Sequence, residues 1–138
     1  MILRFLVIAA LAASASVHAA SGPKQVGLNA SGAFFGIYRE QGLSGATVAI
    51  RSCYDKANSG EAYLYCLAMD TQAKRMDEGV AKRLNAEPSA YFSDAEYGQR
   101  VSVMQRWYRD ANQRSYAMNA MMDGVDAGLE AELARIQP

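Results

Sequence analysis

Between residues 62 and 84 the apolar positions Ala62, Cys66, Met69, Ala73, Met76, Val80 and Leu84 recur at steps of 4, 3, 4, 3, 4 and 4. An α-helix stacks such positions on one face, and a strand scatters them over two. The segment therefore predicts a long helix. Asn58 with Glu61 three residues later reads as its capped start, and Pro88 as its stop. The opposite face is expected to be solvated, with Asp70 paired to Lys74 and Glu78 to Lys82, both at i,i+4.

The rest of the chain repeats that signal. Ala46, Ala49 or Ile50, Cys53 and Ala57 predict a helix over about 43–57. Ser93-Asp94-Ala95-Glu96 is a capping box opening a helix with Tyr97, Val101, Met104, Tyr108 and Ala111 on one face. After a break near Asn112, Met118, Met121, Met122, Val125, Leu129, Leu133 and Ile136 predict a last helix. Gly124 and Gly128, four apart on it, permit close helix packing. No useful stretch alternates with a period of two. The fold class is all-α, a small bundle of about four main helices over 43–138, with methionines filling much of the core. Residues 20–32 are Gly/Ser-rich and carry Pro23, and with the short aromatic turn AFFGIYREQ that follows, residues 20–42 read as a flexible leader.

The first nineteen residues decide the chemistry. Arg4 precedes an apolar run from Phe5 to about Ala13, followed by small residues and Val17-His18-Ala19. This is the pattern of a secretory signal peptide, residues 1–19, and the run is too short for a bilayer span. Cleavage after Ala19 leaves 119 residues with 13 basic and 14 acidic side chains and removes the sole histidine, His18. A near-neutral charge argues against nucleic acid or an anionic membrane as partner. In an oxidising compartment the only two cysteines, Cys53 and Cys66, are expected to form a disulfide. Their spacing does not suit Cys-x-x-Cys redox work, and two thiols without histidine make a poor zinc site. The bridge would pin the first helical hairpin.

Without histidine, Ser-His-Asp and Cys-His catalysis and the usual metal sites are excluded from the mature chain, and no cofactor motif is present. The acidic residues read as surface pairs and caps rather than as a catalytic dyad. What remains is a binding protein. The candidate partner-binding residues are Pro88, Tyr91 and Phe92, in the polar connection from Asn85 to Ser93, and the helical pair Trp107 and Tyr108.

Three stretches resemble a known family. They are the helix leading to Cys53 with the gap to Cys66 in YCLAMD, then YFSDAEYGQRVSVMQRWYRDANQRS, then YAMNAMMDGVDAGL. Together they are similar to periplasmic immunity proteins of the Tai type, also called resistance-associated proteins. The resemblance implies a periplasmic protein that blocks a peptidoglycan amidase delivered by type VI secretion, and a homodimer is compatible with it. The chain departs from the family in carrying Ser93 where relatives have a cysteine, and in lacking their last cysteine. CYDKA, the gap to Cys66, and Trp107 followed by Arg109-Asp110 also resemble the N-terminal domain of LprI-type lysozyme inhibitors, with Lys56 one place late and the step from Trp107 to Arg109 shorter than in that family. Both resemblances imply an inhibitor of a secreted cell-wall hydrolase. An exported structural or interaction subunit is the alternative of a different class.

Overall fold

The computed structural model describes residues 22–138, all-helical apart from turns. The expected signal peptide lies outside the described residues. The elements are α1 (Pro23–Lys56), α2 (Gly60–Leu84), a 3-10 turn (Ala90–Phe92), α3 (Asp94–Ser102), α4 (Met104–Trp107) and α5 (Ala111–Ile136). The small all-α bundle predicted from periodicity is what forms. Cys53, in the last turns of α1, is bonded to Cys66, in the second turn of α2, with Cα atoms 5.6 Å apart. The bridge pins the hairpin where the spacing placed it.

Residues 23–42 correct the sequence reading. They are not a flexible leader but the first half of α1. Pro23 stands at the first helical position, where its fixed φ favours the helix and its missing N–H costs nothing. The buried stripe is Val26, Gly27, Ala30, Ser31, Phe34 and Phe35. It has helical spacing, but Gly and Ser carry part of it, so composition suggested a loop. Gly42, at φ 66°, turns the chain sharply and separates 23–41 from 43–56.

Small residues in the first half of α1 allow a very close approach to α5. A Cβ added to Gly27 would lie 2.1 Å from the Met121 carbonyl oxygen, and one added to Gly124 would lie 2.0 Å from that of Lys24. At Gly128 it would meet the Ser31 side chain at 2.4 Å. Further along, Arg39 Nη1 reaches Glu132 at 2.9 Å, so the two segments run side by side in the same direction. The Gly124–Gly128 spacing is thus used for close packing.

Helix α2 touches every other element, and its surroundings correct the expected solvated face. Leu64, Leu67, Ala68 and Met69 are buried, but so are Asp70, Thr71, Gln72 and Asp77. Asp70 is not paired with Lys74, nor Glu78 with Lys82. Lys74 instead bonds Glu78, and Asp94 at 2.8 Å. The apolar row leaves the core near its end, where Val80 and Leu84 are exposed. Ser59, not Asn58, caps the helix, accepting from the Ala62 N–H at 3.1 Å. Asn85, in the left-handed region, stops it three residues before Pro88.

The third helix also differs from expectation. Ser93 caps α3, as the capping box predicts, but Val103 divides the segment into α3 and the single turn α4. The chain then leaves α4 at Trp107. Asp110 caps α5, accepting from the Gln113 N–H at 2.8 Å.

Candidate functional site

The end of the bundle held by the disulfide carries a groove of about 400 Å³ lined by Tyr54, Ala57, Tyr63, Val103, Arg106 and Trp107. Each wall follows from the chain around it. Tyr54 follows Cys53, and Tyr63 precedes Cys66 by three, so the bridge fixes both backbones. The Tyr54 and Tyr63 ring centroids are 4.9 Å apart, and Trp107 continues the aromatic wall 6.4 Å from Tyr63. Trp107 is 39% exposed and stands at the rim. A depression of about 380 Å³ lined by Leu43, Ser44, Thr47, Val48, Arg51 and Ser89 has no aromatic wall.

Behind the groove lies a buried ionic network. Asp70 has no exposed surface and receives Arg100 through two bonds, Nε to Oδ2 at 2.5 Å and Nη2 to Oδ1 at 3.0 Å. The Tyr54 hydroxyl donates to Asp70 Oδ2 at 2.8 Å, and the Tyr63 hydroxyl donates to the Arg100 carbonyl at 2.7 Å. Both tyrosines of the wall are therefore held by their hydroxyl ends. Burial raises both phenols, and the Asp70 charge raises them further, Tyr63 to about 12. They act as neutral donors at physiological pH. Burial alone would lower the Arg100 guanidinium, but its bonds to Asp70 and that charge outweigh burial and hold it above its usual range. Among the described residues no buried side-chain nitrogen or oxygen lacks a partner. A fully satisfied network of this kind gives rigidity.

The predicted site residues fall into two groups. Tyr91 and Phe92 do not protrude. Phe92 has no exposed surface and belongs to the hydrophobic core, so its expected role as a partner anchor is corrected to that of a core side chain. Tyr91 is half-buried under the Arg100 and Arg51 guanidinium groups, 4.0 and 4.7 Å from its ring centroid. Its carbonyl accepts from Arg100 Nη2 at 2.8 Å. Asp77 accepts from the Ser89 N–H at 2.7 Å, which ties the connection to α2. Pro88 is exposed beside a shallow depression with Lys74, Glu78 and Asp94. The loop is a tethered lid.

Trp107 lines the groove itself, and Tyr108 packs beside it over Gly60 at the start of α2. The structure links the two predicted groups through one chain of contacts, Tyr91–Arg100–Tyr63–Trp107, without merging them into one surface. Sequence reading missed Tyr54, Tyr63 and Arg106 as groove residues. For the tyrosines the available signal was their closeness to the bridged cysteines. Arg106 had only its place beside Trp107.

No group of three or more His, Cys, Asp or Glu side chains that could hold a metal occurs among the described residues, and no helix among them is long and apolar enough to cross a membrane. Compared with known proteins, the chain matches no family model, no curated protein and no solved structure.

Proposed function

We propose that the chain is an exported, non-catalytic binding protein that docks a secreted peptidoglycan hydrolase and blocks it. One observation carries the docking reading: a half-exposed Trp107 at the rim of an aromatic groove whose walls are fixed from behind. Trp, Tyr and Arg are the side chains that dominate interface energies, and prior fixation lowers the entropy lost on binding. The disulfide supports work in an oxidising compartment. The target class comes from the resemblance to Tai-type amidase immunity proteins and rests on the three sequence stretches that carry it. An amidase is therefore the proposed target and the periplasm the proposed location.

The test is direct. The purified chain is mixed with secreted Cys-His amidases and, in parallel, with lysozyme, and peptidoglycan hydrolysis is followed. Stoichiometric inhibition of an amidase, lost in Trp107→Ala with folding intact, supports the proposal. Inhibition of lysozyme alone moves the target to the LprI-type alternative. Peptidoglycan cleavage by the chain itself overturns the reading.

A further inference from the structure

The groove has one cation at its edge. Arg106 lines it, is exposed, and has no ion-pair partner among the described residues. The other nearby charges do not line the groove. Asp70, behind Tyr54, is held by Arg100. Lys56 in the last turn of α1 opposes the partial negative charge of that helix end. Glu61 acts on Tyr108, outside the groove lining. The remaining walls are aromatic or apolar: Tyr54, Ala57, Tyr63, Val103 and Trp107. The complementary ligand has an apolar body and one negative charge.

We propose that the groove receives an acidic peptide segment of its partner, with an aromatic or aliphatic side chain against Trp107 and a neighbouring Asp or Glu carboxylate on Arg106. The planar guanidinium fork matches a carboxylate with two parallel bonds. This inference rests on the docking reading above and names what the docked segment looks like.

Trp107 is the chain's only tryptophan, so its fluorescence reports directly on the groove. The purified chain is titrated with acetyl-Ala-Phe-Asp-Leu-Ala-amide, with its Asn and Lys counterparts at the central position, and with N-acetylmuramic acid. The Asp peptide should bind about fivefold more tightly than the Asn peptide, with the Lys peptide weakest. That preference should shrink in about 1 M salt, where the screening length falls to about 3 Å. It should disappear in Arg106→Gln, whose thermal unfolding stays unchanged. Equal binding of the three peptides overturns the acidic preference and leaves the docking groove standing. Binding of N-acetylmuramic acid without peptide binding overturns the acidic-peptide proposal, because the groove would then read a sugar acid. Silence from all four probes overturns the acidic-peptide proposal, while hydrolase inhibition separately decides the docking reading.

Discussion

Arg100 grips Asp70 across thirty positions of sequence, with Nε 2.5 Å from Oδ2 and Nη2 3.0 Å from Oδ1. Removing one partner strands the other charge in the core. Arg100→Met is expected to lower unfolding free energy by about 3–5 kcal/mol, measured by urea denaturation. Replacing Asp70 and Arg100 together by apolar residues should cost much less than either change alone. Additive losses would mean that the pair is not coupled.

The close approach of α1 and α5 predicts a contrast between glycines. Gly124→Ala would drive a methyl group into the Lys24 carbonyl, and the helices would have to separate. A loss of about 1–3 kcal/mol or more is expected. Gly79→Ala, on an exposed part of α2 with nothing within 4 Å, should instead gain about 0.5–1 kcal/mol from helix propensity. Thermal melts of both variants distinguish the two, and equal shifts would remove the packing argument.

Substitutions at Phe92 and Trp107 should separate stability from binding. Phe92→Ala empties a fully buried site and is expected to cost about 3–5 kcal/mol. Trp107→Ala should leave the melting temperature nearly unchanged and weaken partner affinity by more than about tenfold. The check is calorimetric binding beside thermal unfolding for each variant. A large loss of stability in Trp107→Ala would make the residue structural.

The bridge closes a short loop between neighbouring helices, so its effect falls mainly on the unfolded chain. The double variant Cys53→Ala, Cys66→Ala should lose about 2–3 kcal/mol while keeping its helix content at room temperature. Circular dichroism with denaturant titration measures both quantities. Loss of helicity in the absence of denaturant would show that the bridge holds up the fold itself.

Alkaline pH should act through the groove tyrosines. Tyr54 and Tyr63 are raised above 10.0 by burial and then by Asp70, Tyr63 to about 12. Between about pH 10 and 12 the unfolded chain gives up phenolic protons that the folded chain keeps. Their stabilising contribution is complete below about 10 and is lost as pH rises through the folded value. Phenolate absorbance from these two residues is expected to appear together with the loss of helical circular dichroism. Their ionisation near 10 with the helices intact would contradict this.

The sequence by itself determined the all-α class, most of the helices after residue 42 and the hairpin. A 3.6-residue period is a local property, and it marked α2, α3 and α5 from side-chain spacing alone. Cys53 and Cys66 sit on neighbouring elements, so their pairing needed only chain order and an even count. The first half of α1 was legible only in part, because its contact face uses Gly27 and Ser31, residues that read as loop by composition. Tertiary structure decided what no local pattern encodes. Asp70 looks like a surface carboxylate at i,i+4 from Lys74, and only the arrival of Arg100 and Tyr54 makes its burial tolerable. Phe92 and Trp107 are both aromatic residues near turns, yet one enters the core and the other stands at a rim. The groove joins residues from α1, α2 and the α3–α4 segment, and its shape depends on helix separations of a few ångströms. Those separations follow from long-range packing of small and large side chains.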